Sequence, residues 1–475
     1  MRKTRIICTI GPATNDLETM KELIQSGLNV ARFNFSHGSH DSHREMANKM
    51  KQAANELNAP VALMLDTKGP EIRIKTFAKE TVELKEGNKF TLTTREIEGD
   101  TTQVSVTHTG LPKDVKKGGR ILIDDGLIEL LIDNITETDV ECTILNGGTV
   151  KNNKGINLPE FDVSLPSLTE KDINDIKFAI KEGFHFIAAS FIRSADDVLQ
   201  IRKILNENGG SYIEIMSKIE NHQGVYNIDE ILKVTDSIMV ARGDLGVEIL
   251  PEEVPLVQKT LIRKANKAGK PVVTATQMLE SMISKPRPTR AETSDVANAI
   301  FDGTDGIMLS GETANGKYPV ESVKTMANIA IKTEESVKYY TNLRDVSKNE
   351  LLSSTDAIGY AASAIAKDIG AKAILALTES GFTARMISKF RPEIQIISIT
   401  PNVLSYKKMS LTWGAIPLLV DEAHESKQLL KISLEAAIKN AGLKEKETVV
   451  IVSGMPVGIT GTTNNIRVQV IGEEI

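Results

Sequence analysis

Cysteine is almost missing from this chain. Only Cys8 and Cys142 occur in 475 residues. Two thiols so far apart imply no disulfide framework and suit a reducing compartment. Cys8 sits in the apolar run Ile6-Ile7-Cys8-Thr9-Ile10, which reads as a buried core thiol. Long hydrophobic runs are missing too. No stretch reaches the roughly 18 apolar residues of a membrane span, so no membrane partner is expected. Arg2-Lys3-Thr4-Arg5-Ile6 leads directly into a strand. The apolar stretch of about 7–15 residues that marks a secretory signal is not seen, and the cytoplasm is the expected location. A basic excess is also lacking: 57 Lys and Arg stand against 63 Asp and Glu, for a net charge of −6. That speaks against a nucleic-acid partner. There is no Ser-His-Asp set, no zinc motif and no Gly-x-x-x-x-Gly-Lys-Ser/Thr loop. Phosphate binding must therefore rest on a metal and on Arg and Lys.

What is present is length and rhythm. Single cores stop growing at roughly 250–300 residues, so two or three domains are expected. Short apolar runs occur at 5–10, 29–33, 61–65, 184–190, 213–216, 237–240, 271–274 and 306–309. Helix-like segments lie between them, among them 16–26, 43–57, 169–182, 194–208, 253–268 and 290–301. Strand-then-helix units predict parallel α/β architecture, and eight such strands close a (β/α)8 TIM barrel. From 70 to 166 the pattern changes. Turn signals such as Glu86-Gly87-Asn88 and Asn146-Gly147-Gly148 separate alternating segments at 101–107 and 140–145. That predicts a small all-β lid inserted after the third strand. The barrel therefore takes 1–69 and 167–340. A polar connector at 340–351 leads into a C-terminal α/β domain, 341–475, with strands near 372–378, 394–399, 415–420 and 448–453.

Polar motifs follow nearly every barrel strand, where the active site of this fold lies. Lys218 and Glu220 are two apart, so a strand puts both side chains on one face. Asp244 follows the next strand. Two carboxylates without clustered Cys or His suit Mg²⁺ or Mn²⁺ and argue against zinc. Lys218 beside them suits a phosphoryl group or an enolate. Arg32 and Arg73, read as ending neighbouring strands, suit anion recognition. Asn34, Ser36, Asp66 and Thr67 offer only oxygens and one formal charge, a monovalent-cation set. His37 reads as a loop residue and His43 as a structural helix residue. Thr378-Glu379-Ser380-Gly381-Phe382-Thr383 presents hydroxyls and N–H groups at a helix start, an anion site. The loop 453–464 is placed to close over it.

These motifs, in this order, closely resemble those of pyruvate kinases. The resemblance rests on Asn34-Phe35-Ser36-His37-Gly38, Asp66-Thr67-Lys68-Gly69-Pro70-Glu71, Ile215 to Val225 and Met278-Leu279-Glu280-Ser281-Met282, and it covers nearly the whole chain. It implies phosphoryl transfer from phosphoenolpyruvate to ADP, giving pyruvate and ATP. It implies that Arg32 holds the substrate phosphate, that Lys218 stabilises the phosphoryl group and enolate, and that Glu220 and Asp244 hold Mg²⁺. Gly243, Asp244 and Thr276 would bind the substrate carboxylate, with Thr276 near the later protonation. Asn34, Ser36, Asp66 and Thr67 would hold K⁺, and Glu71 accompanies K⁺ dependence in this family. Arg73, Lys154 and Asn34 would meet the nucleotide, which brings a second Mg²⁺. The resemblance further implies a homotetramer and a phosphosugar or nucleotide effector near Thr378, Ser380 and Thr383. Ala441 stands where members responsive to fructose bisphosphate carry a basic residue, which counts against that effector. The phosphohistidine-like extra domain of some bacterial members is not expected. The competing reading is a metal-dependent pyruvate-enolate carbon–carbon lyase on the same barrel. Arg73, Lys154 and the lid count against it, since a lyase needs no nucleotide site.

Overall fold

The computed structural model describes residues 2–159, 161–336, 352–423, 425–455 and 461–474. The expected connector at 340–351 lies outside the described residues, as do 456–460 of the expected closing loop. Eight parallel strands close a barrel: Arg5–Thr9, Val30–Asn34, Ala62–Asp66, Phe186–Ala189, Glu214–Ile219, Ser237–Ala241, Val272–Ala275 and Gly306–Leu309. Each pairs with its neighbours in sequence, and the eighth returns to the first. Strand alternation sorts the side chains. Ile7, Val30, Met64, Phe186, Met216, Met239 and Met308 fill one buried cluster inside the ring. Ile6, Cys8, Ala31, Phe33, Leu63 and Leu65 belong to a second cluster, shared with the surrounding helices. Cys8 and Cys142 are both buried and free.

Local chemistry sets the helix starts. Ser39, Thr169, Ser194 and Thr289 each accept the N–H three residues on, opening helices His40–Glu56, Glu170–Lys181, Ala195–Glu207 and Arg290–Phe301. The first of these begins at His40, three residues before the start indicated by its apolar periodicity, because Ser39 caps it. The fifth barrel strand runs on to Ile219, past the apolar run that ends at Met216. Its polar extension survives because Lys218 finds carboxylate partners in the barrel mouth.

Between the third and fourth barrel strands the chain forms a seven-stranded and a two-stranded sheet. They have their own buried cluster, including Phe90, Leu92, Ile121, Ile132 and Val140. One helical turn, Leu111–Asp114, interrupts the β pattern. Arg73 lies on the first strand of this sheet, Ile72–Arg73, paired with Gly155–Asn157. It does not end a barrel strand, because the third barrel strand stops at Asp66.

The C-terminal unit is a five-stranded sheet in the order Ala415–Leu419, Gln395–Thr400, Ala373–Leu377, Thr448–Gly454, Thr463–Val470. Only the last strand is antiparallel; it is one more than the four runs read from sequence. Leu411 of this unit joins the cluster inside the barrel, and Arg5, opening the first barrel strand, donates from Nε to the Thr412 carbonyl at 2.7 Å. The unit thus stoppers the end of the barrel opposite the mouth. Among the described residues no helix is long and apolar enough to cross a membrane.

Candidate active site

Five strand ends deliver one buried ionic network to the mouth. Arg32, on the second strand, donates from Nε to Asp66 Oδ2 at 2.6 Å and from Nη1 to Thr9 Oγ1 at 2.8 Å. Lys218 Nζ lies 3.1 Å from Asp66 Oδ1, 2.9 Å from Ser190 Oγ and 2.8 Å from Glu220 Oε1. Glu220 Oε2 accepts the Phe191 N–H at 2.6 Å. Each of these side chains is buried, so the charges act with little screening.

Burial and neighbours set the protonation states. Burial alone would depress the Lys218 ammonium, yet Asp66 and Glu220 outweigh it and hold its pKa above the ordinary value. Burial would raise Asp66, but Arg32 and Lys218 keep it below the usual carboxylate range. Glu220 is pushed up to about 7, first by burial and also by Asp244, against the pull of Lys218. Asp244 is raised as well, chiefly by burial.

The donor set fits a hard divalent cation. Glu220 Oε1 is buried against Lys218 Nζ at 2.8 Å and keeps a lone pair for an oxygen-seeking metal. Among the described residues no group of three or more His, Cys, Asp or Glu side chains is placed to hold a metal. Glu220 and Asp244 would therefore need oxygens from substrate or water to complete a shell. The residues read from sequence as a monovalent-cation set sit on adjacent strand ends, with Asn34 opposite Asp66 in register. Asn34 Oδ1 accepts from the Ser36 N–H at 3.1 Å, and the Thr67 carbonyl accepts from Ser190 Oγ at 2.6 Å. Each of these oxygens has a lone pair left for a cation.

Thr276 and Gln277, just after the seventh strand, both hold left-handed φ values, 69° and 54°. A β-branched residue there is strained. Its partners hold it: Thr276 Oγ1 accepts the Gly243 N–H at 2.8 Å and donates to the Ala275 carbonyl at 2.6 Å. Arg242 donates to the Thr276 carbonyl at 2.7 Å.

Two cavities flank the network, and they divide the nucleotide residues read from sequence. One, of about 230 Å³, lies between the inserted sheets and the barrel, lined by Arg73, Lys154, Asp244 and Glu248. Lys154 pairs with Asp124 at 2.8 Å, and Arg73 pairs with Glu71. The other, of about 610 Å³, is lined by Arg32, Asn34, His37 and His43. His43 is buried, donates from Nε2 to the His37 carbonyl at 2.8 Å and stacks on Phe35, a structural role.

Ser190 and Thr9 escaped the reading from sequence, although both lie in apolar runs at strand ends; small hydroxyl residues carry no charge to draw attention. Phe191 was equally hidden, since its contribution is a backbone N–H. In the C-terminal unit, Thr378, Ser380 and Thr383 line a cavity of about 150 Å³ with Ser453 and Thr463. Thr383 and Thr463 share a hydrogen bond of 2.8 Å. Ala441 ends helix Ser426–Ala441 and packs against that unit's core, away from the cavity lining.

With this geometry in hand, the likenesses to known proteins are specific. Residues 1–323 match the family described as "Pyruvate kinase, barrel domain", and residues 356–469 match "Pyruvate kinase, alpha/beta domain". The pyruvate kinase of Sporosarcina psychrophila is 50% identical over 475 residues, all of this chain and 81% of that protein. The pyruvate kinase of Staphylococcus aureus (strain MRSA252) is 50% identical, again over all of this chain and 81% of its own length. The crystal structure of a pyruvate kinase from Cryptosporidium parvum superposes with a TM-score of 0.94 at 40% identity. That match covers 99% of this chain and 96% of the other.

Proposed function

The chain belongs to the pyruvate kinase family, and on that premise we propose how its residues carry phosphoryl transfer from phosphoenolpyruvate to ADP. The carrying observation is the buried network of Arg32, Asp66, Lys218 and Glu220 at the barrel mouth. Arg32, already oriented by Asp66 and Thr9, offers its remaining donors to the substrate phosphate. Lys218 is a fixed positive charge for the phosphoryl group in flight and for the enolate left behind. The Gly243 and Asp244 backbone and the Thr276 hydroxyl hold the substrate carboxylate, and Thr276 stands near the carbon that is later protonated. Arg73, Lys154 and Asn34 meet the nucleotide.

Glu220 and Asp244 are the residues we assign to Mg²⁺, for which Mn²⁺ can substitute. When bound, the ion supplies positive charge against developing negative charge on oxygen. Asn34, Ser36, Asp66 and the Thr67 carbonyl are assigned to K⁺. Glu71 supports that assignment, because a Lys there would bring its own charge. We further assign domain limits of 1–69 with 167–340, 70–166 and 341–475, a homotetrameric assembly and a cytoplasmic setting. The cavity around Thr378, Ser380 and Thr383 is assigned to a phosphosugar or nucleotide effector. The lyase reading gives way, since the family is one of phosphotransferases and Lys154 and Arg73 line a cleft beside Asp244.

A pyruvate-detecting coupled assay tests the whole assignment. Pyruvate formation is expected to require ADP and a divalent metal, and to fall sharply when K⁺ is left out of sodium- and ammonium-free buffer. Full velocity without K⁺ removes the K⁺ site. Pyruvate release from a carbon–carbon adduct, with no need for ADP, restores the lyase.

A further inference from the structure

The short helix Arg242–Glu248 carries two carboxylates four residues apart, Asp244 and Glu248. That spacing puts them on one helix face. Asp244 belongs to the metal pair; Glu248 has no part in the chemistry above. Yet Glu248 is not idle. Its Oε1 accepts from Asn157 Nδ2 at 2.8 Å, and the Leu158 N–H also stabilises its carboxylate. Asn157 ends strand Gly155–Asn157 of the inserted sheet. In that strand Gly155 stands opposite Arg73 and Ile156 opposite Ile72, and Lys154 comes immediately before it. Glu248 and Asn157 both line the cleft between the two bodies. Among the described residues, other ties across this boundary hold the return segment, such as those from Arg193 to the Val163 and Leu165 carbonyls at 3.0 and 2.8 Å. The Glu248 bond instead grips the sheet itself, next to both of its cleft-lining cations.

We propose that Glu248 is a positioning residue, whose grip on Asn157 and Leu158 seats the inserted sheet so that Lys154 and Arg73 face the metal pair across the cleft. The burial that this carboxylate tolerates is balanced by those two donors. The proposal rests on the reading that Lys154 and Arg73 meet the nucleotide. It adds that the helix bearing Asp244 also fixes where they stand, so one short element registers metal and nucleotide against each other. Loosening the grip would also admit water to the cleft and let phosphoenolpyruvate hydrolyse without ADP.

The test uses the full chain with steady-state kinetics and amide hydrogen exchange. Glu248→Ala is expected to raise KM for ADP about tenfold and to leave KM for phosphoenolpyruvate within about twofold. It should also speed exchange at 154–158 and increase phosphate release in the absence of ADP. Glu248→Gln keeps a carbonyl acceptor at the same reach and should recover most of the loss. Asn157→Ala should mimic Glu248→Ala, and the double variant should be no worse than Glu248→Ala, as for two ends of one contact. An equal rise in both KM values, no rescue by Gln, additive losses or unchanged exchange would each overturn the proposal. Lys154→Met separates the underlying reading. Faster exchange in Glu248→Ala upholds the grip even where Lys154→Met leaves KM for ADP unchanged, an outcome that removes the nucleotide role of Lys154 instead.

Discussion

The Lys218 ammonium is buried among Asp66, Ser190 and Glu220, each within 3.1 Å. Three oxygens hold it in place before any substrate arrives, so it need not reorganise when charge develops. One such preorganised group is worth roughly 3–4 kcal/mol in the transition state. Lys218→Met is therefore expected to lower kcat by roughly 10²–10³ with phosphoenolpyruvate affinity mostly kept. A loss under about tenfold in the coupled assay would refute the role. Glu220 gives a second residue-scale outcome. Its pKa is raised, to about 7, so below that pH the metal-free carboxyl carries a proton that an incoming cation must displace. Mn²⁺ affinity should fall by about tenfold per pH unit below 7 and level off above it. Calorimetry in buffers of different ionisation enthalpy should show proton release at pH 6 that fades by pH 8. A flat affinity across that range would contradict the burial effect.

At the scale of elements, the turn that leaves the third barrel strand controls more than the lid. Gly69 holds φ +73°, and a Cβ there would stand 2.8 Å from Phe191 Cδ2 and 2.9 Å from Ser190 Cβ. Its N–H donates to Asp172 Oδ1 at 3.0 Å, tying the exit of the insert to the helix that follows its return. Phe191 is itself left-handed, at φ 54°, and its N–H serves Glu220 while Ser190 serves Lys218. Gly69→Ala would add backbone strain and push on both residues. The expected cost is about 1–3 kcal/mol in chemical denaturation. Activity should fall with it, because the two displaced residues hold the network. Retention of wild-type kcat/KM would show that residues 190–191 can yield without disturbing Lys218.

At the scale of the molecule, the C-terminal unit is bolted to the barrel end opposite the mouth by buried ionic contacts. Arg391 donates from Nη1 to Asp305 Oδ1 at 2.7 Å and from Nη2 to the Gly303 carbonyl at 2.8 Å, with its guanidinium 4.7 Å over the Trp413 ring. Glu214, opening the fifth barrel strand, lies 3.2 Å from Lys408 and 3.4 Å from Arg385. The same strand carries Lys218 near its other end, so any shift of the C-terminal unit bears on the strand that holds that ammonium. Removing one partner of a buried pair strands the other, at about 3–5 kcal/mol. Arg391→Ala should accordingly lower the first thermal transition in calorimetry. An unchanged transition would mean that Asp305, which also accepts the Val272 N–H at 2.8 Å, needs no partner from the other unit.

The sequence by itself determined the barrel and its interruption, and it singled out the two carboxylates assigned above to a metal. Eight apolar runs spaced by amphipathic stretches, a block of turn signals and two strand-end carboxylates without soft ligands are all local patterns, and local patterns survive in one dimension. The limits of that reading are physical too. The fifth strand outran its apolar run because Lys218 is paid for by Asp66 and Glu220, which come from elsewhere in the chain. Ser190, Thr9 and the Phe191 N–H became part of the site only when separate strands met. Arg73 moved from the barrel to the inserted sheet because pairing with Gly155, far along the chain, outweighed its nearness to Asp66. The tie from Glu248 to Asn157 joins residues 91 apart. Partners at such distances leave no periodic trace in sequence, and only the closed tertiary structure could name them.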